Sequence, residues 1–259
     1  MPDENSNLIS ALGKAENALE ARTRQQEESD QDLESFFSMV SHELHTPLRH
    51  IVSFTELLSE QLSTALDHES SHYLDVISAS ATEMNVLIDE LLAWVRLGRA
   101  SMNIKRVDLN LLVSDVVDSF AHEIADRSFE WDIGELPAVS GDIDMLRTAF
   151  VCLISNAVKF TRLQPVARIR IAPEPDLTDK NHIVVSIRDN GVGFDQQNAE
   201  KIFGMLQKMH SHPAFEGHGM GLATVRRIVQ RHRGHVWAES EPGQGTAIYL
   251  SLAKYGQEL

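Results

Sequence analysis

Cysteine occurs once, at Cys152, which excludes an intrachain disulfide framework and a zinc cage built on cysteines. Such sparing use fits a reducing compartment. Long apolar runs are missing as well: no stretch approaches the ~18 residues needed to cross a bilayer, and the opening MPDENSNLISALGKAENALEARTRQQEESD is too polar for a signal peptide. The expectation is a cytoplasmic protein with no membrane span. Positive charge is scarce, with 23 Lys plus Arg against 38 Asp plus Glu and a net charge of −15. That surplus repels phosphate backbones and anionic membranes, so no nucleic acid partner is expected. Also absent are a Walker A loop, an internal repeat and a nucleophile elbow around Ser41.

What is present divides into two textures. Positions Leu8, Leu12, Ala15, Leu19, Arg22, Gln26, Ser29, Leu33, Phe36 and Val40 follow alternating steps of four and three, a coiled-coil ladder with a polar middle. The helical period continues through Leu44, Leu48, Ile51, Leu57 and Leu58 and weakens across STALDHESS, Ser63 to Ser71. A second helix carries Leu74, Ile77, Ala81, Met84, Ile88, Leu91 and Val95, and Gly98 supplies its stop signal. Two long antiparallel helices cannot bury two apolar stripes alone. A homodimer closing into a four-helix bundle is therefore expected.

After Ser101 short β-rich runs alternate with helices. The pattern predicts a strand in NIKRVDL, a helix over Leu111 to Ala125, a strand in FEWDI and a helix over Asp144 to Phe160. Strands ARIRIA and HIVVSIRD follow, then a helix over Gly221 to Arg233 and a hairpin of HVWAES and TAIYLSL across EPGQG. Helices grouped against a mixed or antiparallel sheet make an α+β sandwich. The chain divides on this reading into a signalling helix (1–32), a helical hairpin domain (33–98) and an α/β sandwich (105–255).

Three glycine-bearing stretches lie in the sandwich: DNGVGF, GHGMGL and GQGT. Glycines let backbone amides approach a ligand closely. Gly217, Gly219 and Gly221 lack the flanking βαβ unit of a dinucleotide site. In LISNAVKFT, Asn156 and Lys159 share a helix face, beside the aromatic Phe160. An amide, an ammonium and a ring so placed suit a metal ion, a phosphate and a base. In the hairpin, SMVSHELHTPLRHI sets His42 among an acid, a second imidazole, a hydroxyl and a proline. A metal stripe of His42, His45 and His50 lacks acidic or cysteine ligands and reads as solvent-facing.

In order and spacing, SHELHTPL, LISNAVKFT, DNGVGF, KIFGMLQKMH and GHGMGL resemble the H, N, first G, F and second G boxes of two-component sensor histidine kinases, over roughly Leu33 to Leu252. The resemblance implies a dimerisation and phosphoacceptor hairpin followed by a GHKL-type ATP-binding domain. It makes His42 the phosphoacceptor, Glu43 the acid that orients or deprotonates its ring and Thr46 the residue that positions water for dephosphorylating a partner. It implies ATP and Mg²⁺ as cofactors: Asn156 holds the metal, Lys159 contacts phosphate, Phe160 neighbours adenine and Asp189 accepts from the adenine amino group. Gly191 and Gly193 let the base lie against the backbone, and Thr246 steadies it through water. Lys208 and His210 supply lid contacts, and Gly217, Gly219 and Gly221 open a helix facing the phosphates. A response-regulator receiver domain is the implied partner, and a separate or upstream sensor domain the implied input.

The departures from the family pattern are specific. His45 stands where arginine is usual, Cys152 replaces the first asparagine of the N box, Leu206 replaces the second F-box aromatic, and Arg233 occupies a position where glycine is common. The short lid between Phe203 and Gly217 resembles that of phytochrome-type kinases. A phosphatase-dominant regulator and a catalytically weak ATP-binding scaffold are the rival readings.

Overall fold

The computed structural model describes residues 37, 39–62, 67–209, 215 and 217–256. The expected signalling helix over 1–32 and the expected lid residue His210 lie outside the described residues. The chain forms two compact units, Met1–Arg96 and Leu97–Leu259.

In the first unit, helix α1 (39–61) and helix α2 (His68–Leu97) form a hairpin. α1 runs on through Pro47, whose ring removes one amide donor. The residues sheltered on α1 include Ser41, His45, Leu48, Val52, Thr55 and Ser59, an unbroken ladder of four and three. Leu74, Ser78, Ala81, Asn85, Ile88, Leu92 and Val95 repeat that ladder on α2. The intramolecular seam thus mixes aliphatic residues, Leu48, Val52, Leu74, Ile88, Leu92 and Val95, with small and polar ones, Ser41, His45, Thr55, Ser78, Ala81 and Asn85. Other residues of the apolar stripes, Leu44, Ile51, Leu57, Leu58, Ile77 and Met84, face outward. Each helix therefore carries a second stripe that the single hairpin leaves uncovered. Among the described residues, no helix is long and apolar enough to cross a membrane.

In the second unit a five-stranded sheet has the order β2-β4-β5-β7-β6, with β2 (Phe129–Ile133), β4 (Ala167–Pro173), β5 (His182–Asp189), β6 (His235–Glu241) and β7 (Gly245–Ala253). Only β2 and β4 run parallel. Alternation decides its two faces. Ile169, Ile171, Val185, Ile187, Leu250 and Val236 turn inward against α4 (Ile143–Phe160) and α5 (Gly221–Arg231), meeting Phe150, Leu153, Ile154 and Ile228 in one core. The outer face is covered by its own pairs, Glu130 with Arg168, Asp132 with Arg170 and Glu174 with Arg188, and by Trp237 stacked 5.1 Å from Tyr249.

Three local outcomes differ from expectation. A strand β3 (Ala138–Gly141) pairs antiparallel with β1 (Lys105–Asp108). The run AVSG is short and carries one β-branched residue, so nothing in its composition announces a strand. Helix α3 (Leu109–Ser119) begins earlier and ends earlier than predicted. Asp108 fixes its start by accepting from the amides of Asn110 and Leu111, and beyond Ser119 the polar run to Arg127 continues only as turns.

α5 ends two residues before the expected Arg233 because the chain closes it there. The amide of Gly234 donates to the carbonyl of Val229 and that of Arg233 to Gln230, both at 2.9 Å, with Arg233 left-handed at φ 55°. This is the helix-ending geometry that favours glycine. Arg233→Gly should therefore stabilise the protein by about 0.5–1 kcal/mol, the steric relief slightly outweighing added chain entropy. Urea unfolding measures it; an unchanged or lowered midpoint would show that Arg233 is not strained.

Candidate active site

The nucleotide site assembles at one end of the sheet. Asp142 caps α4 by accepting from Asp144 and Met145, and the helix delivers Asn156, Lys159 and Phe160 on its last turns. Asn156 and Lys159 are half-buried. The Lys159 ammonium lies 4.5 Å from the centre of the Phe160 ring, which in turn sits 5.3 Å from that of Phe215. Burial, then the charges of Arg162 and Lys208, hold the Lys159 amine below its ordinary range. A site that crowds cations together is prepared for an anion.

Asp189 ends β5 opposite Thr246 of β7. Its Oδ1 accepts from the Gly191 amide at 2.8 Å. Burial pushes the carboxyl up to about 6, opposed by the amides of Gly191 and Thr246. The loop after it is threaded through tight space. A Cβ on Gly193, whose φ is +60°, would lie 2.1 Å from the carbonyl oxygen of Glu241, and one on Gly191 2.7 Å from that of Phe160. Only glycine tolerates the first of these.

The second glycine cluster lies against the same helix residues. A Cβ on Gly217 would meet Lys159 Nζ at 3.3 Å, and one on Gly221 would meet Cys152 and Asn156 at ordinary contact distances of 3.8–4.0 Å. Gly219, at φ +77°, packs against the backbone of Gln207, so the two ends of the lid segment touch. α5 opens at Gly221, and its amino-terminal amides complement negative charge. Asn156, Lys159, Phe160, Gly191, Gly217 and Gly221 are thus drawn together, and Asp189 and Thr246 close the floor. Lys208 is exposed and acts on Lys159 by its charge.

Three residues that sequence reasoning passed over hold this floor. Asn190 accepts from the Arg168 amide at 2.8 Å and donates to the Val166 carbonyl at 3.0 Å, fastening the loop to β4. Ser240 Oγ accepts from the Phe194 amide and lies 3.0 Å from Thr246 Oγ1. Gln196 bonds the backbone of Ala238 and Ser240. Asn190 stood inside DNGVGF and carried a turn signal; Ser240 and Gln196 carried none.

Among the described residues no cluster of three His, Cys, Asp or Glu could cage a metal. Magnesium suits such a site nonetheless, because it keeps several waters and takes few protein ligands beside substrate phosphates. Asn156 offers an amide oxygen there, whereas the Cys152 thiol is too soft a donor to add a second.

On α1, in the first unit, the side chains of His42 and Glu43 are 85% and 79% exposed, so the ring is open to a reactant. Glu43 Oε1 lies 3.9 Å from His42 Nδ1. The Thr46 hydroxyl points back along the helix, 3.4 Å from the carbonyl of His42.

A layered sheet with a buried aspartate, an asparagine-bearing helix and paired glycine loops defines a GHKL-type nucleotide-binding domain. The family described as histidine kinase-, DNA gyrase B- and HSP90-like ATPase matches residues 141–255, and the His Kinase A (phospho-acceptor) domain matches residues 32–100. The phytochrome-like protein Cph1 of Synechocystis is 29% identical over 245 residues, covering 95% of this chain and 32% of that protein. The methanogenesis regulatory histidine kinase FilI of Methanothrix harundinacea is 32% identical over 243 residues, covering 93% of this chain and 27% of the other. The crystal structure of full-length ShkA in complex with AMPPNP shares 26% identity at a TM-score of 0.59, over 86% of this chain and 47% of that one. The chain belongs to the two-component sensor histidine kinases and carries their catalytic core. It spans about a third of the curated relatives' length.

Proposed function

We propose that the protein is an ATP-dependent histidine kinase that phosphorylates itself on His42 and passes the phosphoryl group to an aspartate of a response-regulator receiver domain. The observation that carries the reading is the pairing, in one chain, of an exposed His42–Glu43 dyad with a cluster of nucleotide-site residues around the buried carboxylate of Asp189. Asp189 takes the adenine amino group, Lys159 and the opening of α5 neutralise the phosphates, and Asn156 lends its oxygen to Mg²⁺, which would balance charge on the transferring group. Glu43 faces Nδ1, which leaves Nε2 to attack. The Nε2 lone pair forms the N–P bond, the bond from the γ-phosphorus to the bridging oxygen breaks, ADP departs, and Glu43 receives the Nδ1 proton.

The same reading makes the active form a homodimer. Leu44, Ile51, Phe54 and Leu58 on α1, with Tyr73, Ile77 and Met84 on α2, form the uncovered stripe, and a second hairpin of the same chain matches it in length and pattern. Thr46, one turn along α1 from His42, then serves the opposing reaction, hydrolysis of the regulator's phosphate, and input enters through the segment before α1.

Incubating the protein with γ-labelled ATP and Mg²⁺, beside His42→Gln, tests the proposal. The expected product is an acid-labile, alkali-stable label on the wild type, with none on the variant although it still binds nucleotide. A wild type that binds nucleotide yet takes no label overturns the kinase reading in favour of a scaffold or phosphatase.

A further inference from the structure

His45 is the feature that the functional reading leaves unused. It lies in the seam of the hairpin, one turn from His42, and both of its ring nitrogens face α2. Nδ1 is 3.0 Å from Asn85 Oδ1, and Nε2 is 3.4 Å from Asp89 Oδ1; both oxygens accept, so the ring joins both only with a proton on each nitrogen. Those partners stand four residues apart, one turn on the facing helix, so one ring bridges two successive turns. Its neighbours in the ladder, Ser41 and Leu48, are buried.

A seam of small and apolar groups resists separation but tolerates sliding and rotation, since such packing has little directional preference. A polar pair at a seam position removes that tolerance, because any other register leaves polar groups facing apolar ones. Residues three apart on a helix lie on adjoining faces. Whatever fixes the azimuth of His45 against α2 therefore fixes that of His42.

We propose that His45 is a positioning residue: by bridging Asn85 and Asp89 it sets the rotation of α1, and so the direction in which His42 Nε2 is presented for in-line transfer. The proposal rests on the kinase reading. Arginine, usual at this place in the family, has a fork of donors that reaches two acceptors in the same way. The histidine is then a shorter version of one device.

The test compares labelling rate at saturating ATP and KM for ATP in the wild type and in His45→Ala, His45→Asn, His45→Gln and His45→Arg. Asparagine retains the donor nearest Nδ1 and glutamine the one nearest Nε2. His45→Ala is expected to slow labelling about tenfold or more, as a misplaced nucleophile does, with KM for ATP unchanged. His45→Arg should recover most of the rate, and the two amides should fall between. Equal rates in His45→Ala and wild type, or a failure of arginine to rescue, overturn the positioning role. A double-mutant cycle of His45→Ala with Asn85→Ala, read as urea midpoints of the full chain, tests the bridge without using activity. Additive midpoints overturn the bridge whatever the labelling shows. Coupled midpoints in a wild type that takes no label would instead sink the kinase reading and the positioning role with it, leaving the bridge intact.

Discussion

Replacing Asp189 by asparagine is expected to weaken nucleotide binding about a hundredfold and, in the nucleotide-free protein at pH 8, to raise the unfolding midpoint. Both effects follow from one carboxylate in a poor environment. Burial lifts its pKa to about 6 even though the Gly191 and Thr246 amides favour the charged form. In the unfolded chain an aspartate titrates near 4. Between those values the folded protein holds a proton that the unfolded chain has released. The contribution of Asp189 to stability is therefore complete below about pH 4 and is lost as pH rises through about 6. Above pH 6 the native state carries a buried charge, and a neutral amide relieves it. Binding weakens for a different reason. The side chain must satisfy two amides from the protein and still present an acceptor outward. Asparagine has one acceptor oxygen, which the amides claim, so its NH₂ group faces the adenine amino group, donor against donor. The loss should reach about two orders of magnitude in affinity. Calorimetric titration with an ATP analogue, and urea midpoints at pH 8 and pH 4, measure the two halves. An affinity within threefold of wild type would remove Asp189 from the binding role. A midpoint gain as large at pH 4 as at pH 8 would remove the buried charge as its cause.

The candidate nucleotide site was legible in part. The glycines stand out because ordinary packing would not select residues at positive φ, whereas Asp189 was singled out only by the resemblance of DNGVGF to a family box. Asn156, Lys159 and Phe160 were legible through their spacing on an apolar helix. The supporting contacts were not: Ser240 and Gln196 work through hydrogen bonds between β6 and the loop after β5, a proximity that no local pattern encodes. Strand β3 escaped for a related reason, since AVSG becomes a strand only through its partner β1. In the hairpin the periodicity predicted the helices, and Leu48, Leu74, Ala81, Ile88 and Val95 of the apolar stripes do lie in the seam. Hydrophobicity did not announce Ser41, His45, Ser78 and Asn85 beside them, while Leu44, Ile51 and Met84 remain outside. A single chain cannot show by composition which of two stripes meets its own partner helix. Arg233 is the reverse case: its departure from the usual glycine marked a backbone requirement, and φ there is positive.

His232 carries the second large effect, on stability. It is fully buried, its Nδ1 donates to the Ile228 carbonyl at 2.7 Å, and its Nε2 accepts from the Asp142 amide at 3.0 Å. With a donor role on one nitrogen and an acceptor role on the other, the ring is neutral. Burial holds its pKa below the ordinary value, against the pull of the Ile228 carbonyl and of Asp142. His232→Ala leaves a cavity and an unmet amide at the cap of α4, and should cost about 3 kcal/mol. The pH dependence gives a sharper test. In the unfolded chain histidine takes up its proton near 6.5, whereas the folded protein resists, so the contribution of His232 is complete above about pH 6.5 and falls as pH drops below it. Asp189 acts in the opposite sense, stabilising the fold as pH falls from about 6 toward 4. Across pH 6.5 to 5 the two slopes partly cancel in the wild type. Removing one exposes the other: on acidification over that window His232→Ala should lose less stability than wild type or gain it, and Asp189→Asn should lose more. Urea midpoints at half-unit pH intervals for the three proteins decide it. Parallel curves would show that neither group titrates differently in the folded state.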